Sequence, residues 1–264
     1  MENRSLNPDL ETLARIAEEA GRAIMKVRAE GFEVIEKDDH SPLTRADLAS
    51  HEAIMQGLAA HFPGLPVLSE EGKDIAYEER ARWQRLFIVD PLDGTKEFVK
   101  ELGEFCVCIA LARDGFPVLG AVHAPVWGKT YVGGLGIGAW RREKGAAWEQ
   151  VRVRTPDPDG YVVLASRSHP SPPTEQWLTR VAVKERVSAG SALKFCQVAE
   201  GSADLYPRLG YTREWDTAAG QAVLEGAGGS VLVLDEAGEP TRRMPVNKPD
   251  LLNPFYLASA RPLP

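Results

Sequence analysis

The stretch Val89-Asp90-Pro91-Leu92-Asp93-Gly94-Thr95 holds the densest chemistry in this chain of 264 residues. An apolar run ends in Asp90, Pro91 stiffens the turn, and Asp93 follows three residues on. Two carboxylates at that spacing can converge on one side of a tight turn. The Leu92 carbonyl between them offers a third hard oxygen of the kind Mg2+ prefers. Gly94 and Thr95 present backbone N–H groups at a helix start, a place that suits phosphate. The plainer alternative is that Asp93 caps the helix running through Lys96, Glu97, Phe98 and Val99, while Asp90 opens a turn. Covalent aspartyl phosphotransferases separate two Asp by one residue, so that one attacks and the other protonates. Here two residues intervene, which argues against an attacking aspartate.

Two more acidic stretches strengthen the metal reading. In Ser69-Glu70-Glu71-Gly72 a short apolar run ends in adjacent glutamates. One can face a site while the other faces solvent, or both can be solvated. In Glu214-Trp215-Asp216-Thr217-Ala218-Ala219-Gly220 the acid falls at a helix start, and small residues behind it permit close approach of another element. Asp216 can be an N-cap, worth about 1 kcal/mol, or a ligand, or both. Glu70, Asp90, Asp93 and Asp216 end separate strands and helices, and gathering them is costly without cations. Gathered around Mg2+, they describe a multi-ion site for phosphoryl chemistry. Cys106 and Cys108 alternate along an expected strand and read as small packed hydrophobes. A C-x-C metal site is the sharper alternative.

These groups need elements to hold them. After Asn7-Pro8-Asp9, the residues Leu10, Leu13, Ile16, Ala17, Ala20, Ala23, Ile24 and Val27 form one apolar stripe at helical spacing. A second helix is expected after Thr44, carrying Ala46, Leu48, Ile54, Met55 and Leu58 towards His61, where Pro63-Gly64 stops it. Strands are expected at 66–69, 86–89, 105–111, 118–123 and 130–133. Polar segments at 141–145 and 155–160 bracket a hairpin. We set a domain boundary there, between a metal-binding first half, residues 1–150, and a substrate-selecting second half, residues 151–264. The second half predicts strands at 162–165, from Val187, at 203–207 and at 230–235. Helices are expected at 176–183, 193–200 and 216–226. Alternation of helix and strand in both halves points to a layered α/β architecture.

Composition narrows the partners. With 31 Lys+Arg against 38 Asp+Glu the net charge is −7, which argues against nucleic-acid polymers and anionic membranes, both of which need a basic footprint. A small anionic substrate stays compatible, because bound metal ions reverse the local sign. No apolar run approaches the ~18 residues of a membrane span. Near the N-terminus Glu11, Arg15, Glu18 and Glu19 replace the apolar region of a signal peptide, so a cytoplasmic protein is expected.

Taken together, Glu70-Glu71, Asp90-Pro91-Leu92-Asp93-Gly94-Thr95 and Trp215-Asp216-x-Ala218-Ala219-Gly220 resemble the inositol monophosphatase superfamily of Mg2+-dependent, Li+-sensitive phosphatases. Within it the chain is similar to the CysQ-type 3'(2'),5'-bisphosphate nucleotidases. Asp93-Gly94-Thr95-Lys96-Glu97-Phe98, Ser166-Arg167-Ser168-His169, Gly190-Ser191-x-Leu193-Lys194-Phe195-Cys196, Leu205-Tyr206-Pro207-Arg208 and Leu252-Asn253-Pro254 carry that finer likeness. The resemblance implies the alternating α-β-α-β-α sandwich shared with fructose-1,6-bisphosphatase, and two to three Mg2+ ions with inhibition by Li+. Glu70, Asp90 and the Leu92 carbonyl would hold the first ion. Asp90, Asp93 and Asp216 would hold the second, with Glu70 helping a weaker third. Asp47 would hydrogen-bond the Thr95 hydroxyl, and that pair would orient and deprotonate the attacking water.

On the same resemblance Lys194, Arg208, His169 and Ser191 would meet a second phosphate or the sugar, beside Asp93, Gly94, Thr95 and Asp216. Read alone, Lys194 and Arg208 are solvated charges and His169 a surface histidine by a Pro-rich loop. The implied activity is hydrolysis of the 3'-phosphate of adenosine 3',5'-bisphosphate, with 3'-phosphoadenosine 5'-phosphosulfate as a related substrate. Inositol 1-phosphate or a sugar bisphosphate is the alternative, and a non-catalytic metal- and nucleotide-binding sensor a third. The expected partner is a small phosphorylated molecule, and the expected state a monomer or homodimer.

Overall fold

The computed structural model describes residues 6–36, 42–166 and 171–261. α1 (Pro8–Glu30) starts where Asn7 accepts a hydrogen bond from the Asp9 amide and Pro8 fills the first turn, where its missing N–H is no loss. A small antiparallel pair, β1 (Val34–Glu36) and β2 (Pro42–Thr44), leads into α2 (Arg45–His61). α1 and α2 pack together. Leu48 and Met55, expected on the apolar side of α2, are 48% and 36% exposed; of the apolar residues expected there, Ala46, Ile54 and Leu58 are buried.

β3 (Val67–Ser69), α3 (Tyr77–Arg80), β4 (Arg85–Asp93), α4 (Thr95–Val99), β5 (Cys106–Arg113), β6 (Phe116–Ala124), β7 (Lys129–Gly134), β8 (Gly138–Glu143) and β9 (Glu149–Val151) follow. Their strands form a seven-stranded sheet in chain order, antiparallel except for β3 beside β4. Alternation along β4 and β5 sends Phe87, Val89, Val107 and Ile109 towards α1 and α2. Leu86, Ile88, Cys106 and Cys108 face the other way. Arg141 and Arg142 lie within β8 rather than in a polar turn. Ion pairs to Glu149, Glu200, Glu11 and Glu18 let two guanidiniums occupy a strand.

β10 (Tyr161–Ser166), α5 (Pro172–Leu178), β11 (Val183–Ala189), α6 (Leu193–Ala199), β12 (Leu205–Arg208), α7 (Ala218–Gly226), β13 (Ser230–Leu234), β14 (Pro240–Arg243) and β15 (Tyr256–Ser259) complete the chain. The second sheet runs β11-β10-β12-β15-β13-β14. α5 begins at Pro172 and ends at Leu178, four residues earlier at its start and five at its end than its pattern suggests, and β11 begins at Val183 rather than Val187. Proline favours the first turn of a helix, so it pulls the start forward.

Layering follows from the buried faces. The inner faces of both sheets bury against α6 and α7 in one shared core, through Ile88, Cys108, Phe195, Val223, Val231 and Tyr256 among others. α5 covers the outer face of the second sheet through Trp177 and Leu178. The order is α1/α2, sheet, α6/α7, sheet, α5: an alternating α-β-α-β-α sandwich. Gly120 makes the tight seam possible, since a Cβ there would stand 2.3 Å from the Ala219 carbonyl oxygen of α7. Among the described residues no helix is long and apolar enough to cross a membrane.

Candidate active site

A bulge at the end of β4 builds the centre. Asp90 pairs with Cys108 and Asp93 with Cys106, so an extra residue must be accommodated on β4. Pro91 donates no ladder hydrogen bond, and its carbonyl accepts from Ser50 Oγ of α2 at 2.6 Å. The Leu92 amide donates back to Asp90 Oδ1 at 3.0 Å, which fixes that carboxylate. Gly94 then takes φ +94°, and a Cβ would fall 2.9 Å from the Glu104 carbonyl. Only glycine turns the chain into α4 at that point.

Asp216 arrives from the second half. Its Oδ2 accepts from the Arg213 amide at 2.7 Å, and Thr217, without a side-chain cap, is the boundary residue of α7. Asp216 is therefore not an N-cap: its carboxylate closes the turn that precedes the helix. Behind it the fully buried Glu214 accepts from the Lys248 amide and ammonium at 2.8 and 2.6 Å. Asp90, Asp93 and Asp216 bring carboxylate oxygens within 4.8 Å of one another. Glu70, whose amide donates to the Val89 carbonyl at 3.1 Å, lines the same cavity.

Burial, then the charges of Glu70 and Asp93, push the Asp90 carboxyl well above its ordinary value. Burial raises Asp93 to about 6 against the opposing pull of Lys194. Burial and Asp93 raise Asp216 well above the ordinary range. Three carboxylates that resist ionising together, all turned to one point, make a donor set that fits a hard divalent cation.

Thr95 Oγ1 lies 3.1 Å from the Leu92 carbonyl and 3.4 Å from Asp47 Oδ1. Asp47 has a second task that the sequence pattern did not reveal. Its Oδ2 accepts from the Thr44 amide and hydroxyl at 2.7 and 2.8 Å, closing a capping box at the start of α2. The helix N-terminus thus fixes the carboxylate that faces Thr95.

The cavity beside the carboxylates measures about 250 Å³. Gly94, Thr95, Ser191, Lys194 and Arg208 line it together with the acids. Neither cation is solvated. Lys194, 3% exposed, donates to the Ser191 and Ala189 carbonyls at 2.7 and 3.3 Å and stands 5.1 Å from the Tyr206 ring centroid. Arg208, 8% exposed, donates to the Tyr211 carbonyl at 3.0 Å, while its buried Nε meets no acceptor. Ser191 holds φ +49° in the turn before α6, where the Gly190 amide donates to Glu104 and the Ala192 amide to Asp93. Those bonds clasp the two halves together. His169 lies outside the described residues. Sequence patterns gave Tyr206 only as a motif neighbour of Arg208 and did not single out Ala192 or Tyr211: a backbone amide carries no residue signal, and Tyr211, 84% exposed at the cavity rim, reads as an ordinary loop residue.

A five-layer α/β sandwich with carboxylates converging at the end of β4, in a cavity that buried cations also line, defines a class of proteins built to handle phosphorylated small molecules with metal ions. The inositol monophosphatase family model matches residues 6–262, and the chain belongs to that family. It is 45% identical over 252 residues to the 3'(2'),5'-bisphosphate nucleotidase CysQ of Escherichia coli (strain K12), spanning 95% of this chain and 99% of that one. Against the protein of the same name from Salmonella typhimurium it is 48% identical over 224 residues, 84% of this chain and 89% of that one. Among solved structures, CysQ from Bacteroides thetaiotaomicron superposes with a TM-score of 0.83 at 38% identity, covering 99% of this chain and 100% of the other.

Proposed function

We propose that this chain is a Mg2+-dependent phosphatase that removes the 3'-phosphate of adenosine 3',5'-bisphosphate, giving AMP and orthophosphate. The observation that carries the reading is the convergence of Asp90, Asp93 and Asp216 in a cavity that Lys194 and Arg208 also line. Relatives named 3'(2'),5'-bisphosphate nucleotidase at 45–48% identity support the substrate class. Glu70, Asp90, the Leu92 carbonyl, Asp93 and Asp216 would hold two to three Mg2+ ions. Bound there, Mg2+ supplies Lewis-acid charge that acidifies water and neutralises phosphoryl oxygens.

The chain's own groups do the rest. Thr95 accepts a hydrogen bond from the attacking water while its hydroxyl proton points to Asp47, which gives the water's proton a route away. The amides at the α4 N-terminus and Ser191 orient the phosphoryl group. Lys194 and the unmatched Nε of Arg208 hold the second phosphate, a charge-assisted contact of the stronger kind. 3'-Phosphoadenosine 5'-phosphosulfate, which carries the same 3'-phosphate, would use the same subsites.

Phosphate release from adenosine 3',5'-bisphosphate, 3'-phosphoadenosine 5'-phosphosulfate and inositol 1-phosphate, each with Mg2+, with chelator and with added Li+, tests the proposal. The bisphosphate nucleotide should turn over fastest, stop with chelator and slow with Li+. Faster turnover of inositol 1-phosphate would overturn the substrate assignment, and tight nucleotide binding without turnover would overturn catalysis.

A further inference from the structure

Beneath Asp93, on the face of β5 turned to the central helix layer, Cys106 and Cys108 stand side by side, both buried. Their Sγ atoms are 3.7 Å apart, and Cys106 Sγ lies 3.9 Å from Asp93 Oδ2. One donor atom from each of the three residues falls within 4.8 Å of the others. Zinc takes thiolate sulfur at about 2.3 Å and carboxylate oxygen at about 2.0–2.2 Å in a tetrahedron. Two sulfurs on such an ion are about 3.8 Å apart, and a sulfur and an oxygen about 3.6 Å apart. Two of the three pairs already hold close to those separations and the third lies within 4.8 Å, so an ion would need little rearrangement. Thiolates select soft cations, whereas the neighbouring all-oxygen set of Asp90, Asp93 and Asp216 suits hard ones.

We infer that Cys106, Cys108 and Asp93 form a second cation site, one that takes a thiophilic divalent ion such as Zn2+ or Cd2+ and silences the carboxylate centre. Asp93 belongs to both donor sets, and a carboxylate drawn towards sulfur-bound metal is drawn away from Asp90 and Asp216. Access runs through the cavity, since Asp93 and Ser191 line it and Ser191 Oγ is 3.5 Å from Cys106 Sγ. As the two S–metal bonds form, both thiol protons pass to solvent; nothing is oxidised or reduced. The inference rests on the assignment of Asp93 to the working centre but not on the identity of the substrate.

The full-length protein, titrated with Cd2+ in a Mg2+ buffer, tests it through the ultraviolet thiolate-to-cadmium charge-transfer band. The band should saturate at about one ion per chain, the tetrahedral site having one centre. It should vanish in the double variant Cys106→Ser, Cys108→Ser and persist in Cys196→Ser, which leaves the trio intact. Losing a mere outer-shell partner weakens metal sites ~10–100-fold, so half-inhibition of phosphate release by Zn2+ should need more than about tenfold higher concentration in the double variant. If the double variant does not fold, Cys108→Ala, which keeps a small apolar group, gives the same comparison. No band would overturn the inference, the ion then having taken the oxygen set, and so would a band and inhibition unchanged in the double variant, the sulfur ligand then being Cys196. The spectral readout is independent of turnover, so failure of the proposed activity would leave it standing.

Discussion

Asp93 is the residue on which most of the centre turns. It belongs to the acidic trio, accepts from the Ala192 amide of the second half, and carries a carboxyl raised from 3.8 to about 6. A carboxyl raised on folding keeps its proton while the unfolded chain has lost it, so metal-free stability falls as pH rises from about 4 to about 6. The size is on the order of 2–3 kcal/mol at neutral pH. Asp93→Asn removes that burden and can still accept from Ala192. In chelator at neutral pH the variant should melt several degrees above the parent, at roughly 2–4 °C per kcal/mol for a chain of this size. The gap should close as pH is lowered from about 6 to about 4. With Mg2+ the order should reverse, and phosphate release should drop ~100-fold or more. Calorimetry across that pH window, with and without Mg2+, checks the sign. Glu70 and Asp90 were legible from sequence because each follows a short apolar run, Asp93 because it sits three residues on in the same turn, and Asp216 because small residues follow it. The burial of Lys194 and Arg208 was not, because a cation that satisfies itself on backbone carbonyls looks the same in sequence as one in water.

Elements matter here for how closely they approach. The close approach of α7 to β6 depends on Gly120, and the Asp216 turn immediately precedes α7. Gly120→Ala would drive a methyl into the Ala219 carbonyl and should cost about 2–3 kcal/mol. It should also lower kcat, since the helix cannot retreat without carrying Asp216 from Asp90 and Asp93. Gly145→Ala is the matched control: it is left-handed at φ +75° with no atom within 4 Å, and should cost about 1 kcal/mol while leaving turnover unchanged. Denaturant midpoints and initial rates for the two variants separate the effects. The long periodic helix α1 and the apolar strands β4 to β7 could be read from sequence, because burial on a regular face writes a regular pattern. β14 could not: its residues Pro240 to Arg243 are mostly exposed at a sheet edge, and no apolar alternation marks them. The start of α7 was misread for a related reason, since an acid before small residues looks alike as a cap and as a turn closer.

At the scale of the whole molecule, the boundary near residue 150 separates two sheets that share one core. α6 and α7 belong to the second half of the chain yet bury the inner face of the first sheet, through Leu86, Ile88, Cys108 and Val122. Polar ties cross the same seam. Arg80 of α3, 2% exposed, donates to the side chain of Asn247 and the carbonyls of Lys248 and Pro249 at 2.9–3.1 Å. Lys248 in turn pairs with Glu214 two residues before Asp216. Removing the ammonium by Lys248→Met leaves a buried carboxylate with backbone donors only, which should cost about 3–5 kcal/mol. A chain whose halves share a core and interlocking charges should unfold as one unit. In denaturant, far-ultraviolet circular dichroism, tryptophan fluorescence and phosphate release should fall together, and Lys248→Met should shift all three midpoints equally. Two separated transitions, or a fluorescence change that outlives activity in the variant alone, would mean that the second half loosens independently and that Asp216 is delivered by a mobile partner. A single transition would make the centre a product of the whole fold: the acids are tolerable only because the second half closes over them with Lys194, Arg208 and the Ala192 amide. That local arrangement, rather than the net charge of −7, would let an acidic chain receive the strongly anionic nucleotide proposed above.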